Sequence, residues 1–115
     1  MQQQATTAGT HPQVVTDADF AQVVEGASEL VLVDFGAAWC GPCRMMEPTV
    51  EALANEYAGR LKVATVDADE NIQAVTRYNV RSLPTFLFFK DGKPVDQVIG
   101  AVPRPVLERK IQEHA

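Results

Sequence analysis

The chain has 115 residues, 46% of them hydrophobic, with a formal net charge of −5 and an isoelectric point near 4.9. This length supports one hydrophobic core, and the acidic balance argues against nucleic acid or an anionic membrane as a partner. No apolar run approaches the roughly 20 residues that a membrane-crossing helix requires.

Residues Met1 to Pro12 are polar and rich in Gln, Thr and Ala, and they lack the basic-then-apolar pattern of an export signal. They read as a flexible tail (1–12) before a single domain (13–115), and a cytoplasmic location is expected. Val14-Val15 reads as a short first strand. Thr16-Asp17-Ala18-Asp19 fits a capping box that opens a helix to about Gly26, with Phe20, Val23 and Val24 facing inward. Leu30 to Phe35 is apolar and β-branched and predicts a buried central strand. A long helix follows from Pro42 to Ala58, and Pro48 inside it removes one hydrogen bond and is expected to bend it. Lys62 to Ala68 predicts a strand, Asp69 or Glu70 the start of a short helix to Tyr78, and Thr85 to Lys90 another strand. Asp91-Gly92 is a hairpin signal that returns Pro94 to Ile99 antiparallel. Pro103 to Glu113 predicts a closing amphipathic helix with Val106, Leu107 and Ile111 inward. The order of elements is α/β.

The only two cysteines lie in Trp39-Cys40-Gly41-Pro42-Cys43, where the central strand hands over to the long helix. Residues three apart share a helix face, close enough for a disulfide. The unpaired N–H groups and positive dipole end of the first turn favour a thiolate. Cys40, at the mouth, is expected to be open to solvent and to attack a partner disulfide. Cys43, inside the first turn, is expected to resolve the mixed disulfide that forms. Pro42 sits where its missing N–H costs little, and Gly41 lets a substrate backbone approach. A Cys-x-x-Cys pair also admits zinc or a structural bridge. Zinc needs further ligands, and the only histidines, His11 and His114, stand near the two ends. So short a loop also removes little entropy from the unfolded chain. The redox reading is therefore favoured, and no metal is expected.

Two residues outside the pair carry chemistry. Asp34 interrupts the apolar central strand. It is either a solvated strand-end carboxylate or a buried carboxyl whose proton affinity is raised by desolvation, able to take the proton from Cys43. Pro84, in Arg81-Ser82-Leu83-Pro84-Thr85, either starts an edge strand or forms a cis peptide that presents backbone groups to the disulfide. Met45-Met46, Phe86, Phe88 and Phe89 read as core or groove, Asp67, Asp69 and Glu70 as a solvated acidic turn, and Arg44 as a solvated helix residue.

Taken together and in order, several segments resemble the thioredoxin family over about residues 14–114. They are Val33-Asp34-Phe35, Trp39-Cys40-Gly41-Pro42-Cys43, Pro48, Asp67-Ala68-Asp69, Tyr78, Arg81-Ser82-Leu83-Pro84-Thr85, Phe89-Lys90-Asp91-Gly92 and Gly100-Ala101. The resemblance implies a thioredoxin fold, with a central mixed five-stranded sheet flanked by about four helices and a cis Pro84 beside Cys40 and Cys43. It implies a client groove lined by Trp39, Gly41, Pro42, Leu83, Pro84, Gly100 and Ala101. It also implies no bound cofactor, electrons from NADPH through a thioredoxin reductase, disulfide-bearing client proteins as substrates, and a monomer. The chain departs from many bacterial members at two positions: Gly36 stands where they carry tryptophan, and Thr65 where they carry lysine. A looser floor under the active-site helix is expected, and an Asp34 with no neighbouring ammonium. An oxidase or isomerase use of the fold usually brings another residue between the cysteines and an export signal. A partner-binding subunit need not keep Asp34, Pro84 and both thiols. The expected function is a protein-disulfide reductase.

Overall fold

A computed structural model describes residues 10–115, and most of the expected 1–12 tail lies outside the described residues. At its end, His11 Nδ1 lies 2.6 Å from Glu51, and Pro12 lines a cavity described below. Five strands form one mixed sheet: β1 (Gln13–Val14), β2 (Leu30–Gly36), β3 (Leu61–Asp67), β4 (Thr85–Lys90) and β5 (Lys93–Ile99). The spatial order is β1-β3-β2-β4-β5, with β1 and β2 parallel to β3, β4 antiparallel to β2, and β5 antiparallel to β4. Four helical segments flank it: α1 (Ala21–Glu25), α2 (Gly41–Glu56), α3 (Ile72–Arg77) and α4 (Arg104–His114).

The strand period of two divides the core between the sheet faces. Leu30 and Leu32 of β2, Leu61 and Val63 of β3, and Phe86 and Phe88 of β4 pack against Met46, Val50 and Leu53 of α2 and Leu107 and Ile111 of α4. Val31, Val33 and Phe35, with Ala64, Val66, Leu87 and Phe89, face Phe20, Val24 and Ala74 on the other side. Phe35, Phe86, Phe88 and Phe89 are fully buried, each burial contributing roughly 1.5–3 kcal/mol. Phe89 meets Tyr78 edge-on at 5.0 Å between ring centroids. Met46 is core as expected, whereas Met45 points outward and is exposed.

The expected first helix is a single wide turn. Asp19 accepts from the Thr16 N–H at 2.8 Å, so half of the box forms, but Gly26 N–H then reaches back five residues to Ala21 O at 2.8 Å. The third helix starts later than expected, because Asp67 and Asn71 first close a tight turn: Asp69 N–H donates to Asp67 Oδ1, and Asn71 Nδ2 to Asp67 O. Its open N–H groups, on Gln73 and Ala74, are capped by the Asp17 carboxylate at 3.1 and 2.9 Å, from far away in sequence. The α2 helix runs unbroken through Pro48.

At the β4–β5 hairpin both turn residues are left-handed, Asp91 with φ 52° and Gly92 with φ 81°. A Cβ on Gly92 would lie 2.8 Å from the Glu25 carbonyl oxygen, so shape and space both demand glycine. Gly92→Ala is expected to lower stability by at least about 1–2 kcal/mol in urea unfolding, and an unchanged midpoint would contradict this account of the turn.

Candidate active site

The dithiol sits where β2 passes into α2. Cys40 is extended (φ −87°, ψ 108°) and caps the helix, its Sγ accepting the Cys43 N–H at 3.2 Å. The helix end thus offers a backbone donor directly to the first sulfur, with Pro42 in the first turn where no amide is needed. Cys40 and Cys43 are joined as a disulfide with 5.3 Å between their Cα atoms.

One expectation is corrected here. Cys40 is 4% exposed and Cys43 7%, so Cys40 is not open to solvent in the oxidised pair. Each sulfur has the other as a neighbour, which removes accessible area from both. The difference between the two cysteines lies in their surroundings. Cys40 is flanked by exposed Trp39, Gly41 and Pro42, whereas Cys43 lines a cavity with Asp34.

Strand register explains which distant segments gather at this end of the sheet. Phe35 pairs with Thr85, which pairs in turn with Ile99, and Gly36 pairs with Asp67. Leu83-Pro84 and Gly100-Ala101 therefore stand level with the C-terminal end of β2, from which Cys40 follows. The Leu83–Pro84 peptide is cis, Pro84 is buried, and its carbonyl accepts the Gly100 N–H at 2.8 Å. Leu83 is half-buried, and Gly41, Pro42 and Ala101 are exposed. Added atoms at Gly41 would meet nothing within 4 Å, so its surface is open to approach. Trp39 is 70% exposed, but its Nε1 donates to Asp69 at 2.7 Å, which ties the ring to the loop after β3.

Asp34 follows Leu30 and Leu32 on the face of β2 that packs under α2, which is why it is buried rather than solvated. It is 8% exposed, and its Oδ1 has no hydrogen-bond partner. Burial pushes its pKa up to about 7, and the Glu47 charge adds to the rise. The cavity it lines holds about 410 Å³, between Gly36, Cys43, Glu47, Val50, Glu51, Thr65, Asp67 and the Pro12–Val14 segment. A Cβ added at Gly36 would touch Cys43 Sγ at 3.4 Å, an ordinary contact, and Thr65, the register partner of Asp34, brings no charge.

His11 pairs with Glu51, which lines the same cavity, and His114 Nε2 lies 3.0 Å from Asp96. Among the described residues, Asp96, Glu113 and His114 come close enough together to suggest a metal, but Lys110 Nζ lies 3.1 Å from the same Asp96 oxygen. Two site residues escaped sequence reasoning. Asp69 was read as part of a solvated turn, and Glu47 carried no motif. Glu47 lies four residues after Cys43 on α2, one helical turn on, and that spacing was the available signal.

The family model described as thioredoxin matches residues 11–113. Among curated proteins, thioredoxin 1 of Nostoc sp. is 48% identical over 100 residues, covering 87% of this chain and 94% of that protein. A Staphylococcus aureus thioredoxin is 47% identical over 100 residues, with the same coverage of 87% and 94%. The chloroplastic M-type thioredoxin of Pisum sativum is 48% identical over 102 residues, 89% of this chain, and the chain spans 59% of that protein's length. Matched nearly end to end, with its cysteine pair bonded at the mouth of α2, the chain belongs to the thioredoxin family, and its chemistry is thiol–disulfide exchange.

Proposed function

We propose that the domain over 13–115 is a protein-disulfide reductant in which Cys40 attacks, Cys43 resolves and Asp34 handles the proton. The observation that carries this reading is the Cys43 N–H aimed at Cys40 Sγ at the helix mouth, a donor that stabilises negative charge on that sulfur. In the reduced protein, Cys40 thiolate attacks one sulfur of a client disulfide, and the other client sulfur leaves as a thiolate. Cys43 then gives its proton to the Asp34 carboxylate and attacks Cys40 Sγ. The Cys40–client bond breaks, and the second client sulfur leaves with the electron pair. Two electrons have passed to the client, and the Cys40–Cys43 disulfide remains. The client lies across Trp39, Gly41, Pro42, Leu83, Pro84, Gly100 and Ala101 and is held in part by backbone hydrogen bonds. Electrons return from NADPH through a thioredoxin reductase, with no cofactor resident on this chain. The working state is a cytoplasmic monomer. Catalysed reduction of insulin disulfides tests the reading, and a rate no better than free dithiol would count against it.

The Asp34 assignment makes its own prediction. Thr65→Lys places an ammonium opposite Asp34 and is expected to lower the Asp34 titration midpoint followed by carbon NMR. An unchanged or raised midpoint would remove the electrostatic account of the cavity.

A further inference from the structure

The cavity beside Cys43 holds a carboxylate, Glu47, that the reaction as described does not use. Asp34 lies at its inner end, buried, with Oδ1 unpartnered. Glu47 lines the same cavity from α2 and is exposed to solvent. The other groups around Asp34 leave Glu47 unopposed. From β3 come uncharged Thr65 and exposed Asp67, and β4 places apolar Phe86 opposite Asp34. From α2 come Cys43 and Glu51, and the Glu51 carboxylate is already engaged by His11 at 2.6 Å. Among the described residues, no lysine or arginine lines the cavity.

We infer that Glu47 is a positioning residue for the proton on Asp34, its charge at the solvent end of the shared cavity helping to hold that proton in place. The inference rests on the reading of Asp34 as the proton acceptor for Cys43. A negative charge facing a carboxyl across a cavity without cations penalises the ionised form. The direction of the Asp34 shift, with Glu47 as its second cause after burial, agrees. The consequence is chemical. The more tightly Asp34 holds a proton, the stronger a base its carboxylate is towards Cys43, but the higher the pH at which that carboxylate is available. Glu47 thus raises the pH above which the resolving step runs at full rate.

The test compares the full chain with Glu47→Gln, Glu47→Asp and Glu51→Gln. The Asp34 carboxyl is titrated by carbon NMR in the oxidised protein, and release of a client from the Cys40 mixed disulfide is followed against pH. The midpoint is expected to fall by about 0.3–1 pH unit in Glu47→Gln, to return in Glu47→Asp, and to move less than half as far in Glu51→Gln. Because Glu47 is exposed, the difference should shrink in about 1 M salt. A midpoint unmoved in Glu47→Gln, or moved equally by Glu51→Gln, would overturn the inference. A midpoint that falls while the release profile stays fixed would uphold Glu47 and remove Asp34 as the acceptor, so the two ideas fail separately.

Discussion

Cys40→Ser is expected to reduce catalysed disulfide reduction to the uncatalysed background, while Cys43→Ser stops turnover but leaves one covalent event per chain. The two losses differ because the two sulfurs stand in different surroundings. Cys40 caps α2 with a backbone N–H on its sulfur and exposed residues on either side, and the proposed mechanism has it attack the client. A serine hydroxyl there can neither form a thiolate nor exchange with a disulfide, and Cys43, turned towards the Asp34 cavity, cannot substitute for it. With Cys43 as serine, the attack still proceeds, but nothing severs the Cys40–client bond, and a mixed disulfide accumulates at a one-to-one ratio. Intact-mass measurement of each variant after incubation with a disulfide client reads this directly. Turnover by Cys40→Ser above background would dismiss the assigned order of attack.

Asp34→Asn is expected to stabilise the oxidised protein progressively as pH rises from about 4 to 7. The sign follows from linkage. The Asp34 pKa is raised by burial and by Glu47 from 3.8 in the unfolded chain to about 7 in the folded one. Below the lower value both states are protonated, and Asn resembles the neutral acid, so the variants should nearly coincide. Between the two values the unfolded chain ionises and the folded protein does not, so wild-type stability falls with pH until Asp34 ionises in place. A shift of this size corresponds to a difference of order 4 kcal/mol above pH 7. Subtracting wild-type from variant stability in urea melts at each pH isolates this group from the other titrations. A constant difference across the range would mean that Asp34 is not the buried acid described here. The same substitution should slow the resolving step, because the amide cannot accept the Cys43 proton. The carboxyl thus weakens the fold where it serves the reaction.

Most of the sheet and the reactive pair were legible because their signals are local. The apolar run through β2, the Asp91-Gly92 turn, and the Trp39–Cys43 motif at a strand-to-helix junction each fix their own geometry. Asp34 was legible as a candidate because a lone carboxyl interrupts an apolar strand, and in the fold the alternation Leu30, Leu32, Asp34 puts it on the face that α2 covers. Contacts between segments distant in sequence were less legible. The Asp17 cap on α3, the Trp39–Asp69 bond and the Glu47 charge facing Asp34 depend on packing that no short window carries. The burial of Cys40 was misread for a related reason. A helix mouth suggests an accessible thiol, but in the oxidised pair each sulfur is covered in part by its bonded partner, and Cys40 is 4% exposed. The wide turn of α1 was missed because a capping box announces where a helix begins and says nothing about how it winds.

The difference between the two sulfurs is tested most directly on the reduced protein. It is exposed to a limiting amount of iodoacetamide at pH 7, and the modified cysteine is located by peptide mass mapping. Cys40 is expected to react at least about tenfold faster than Cys43. Equal labelling, or labelling of Cys43 first, would contradict the mechanism at its root.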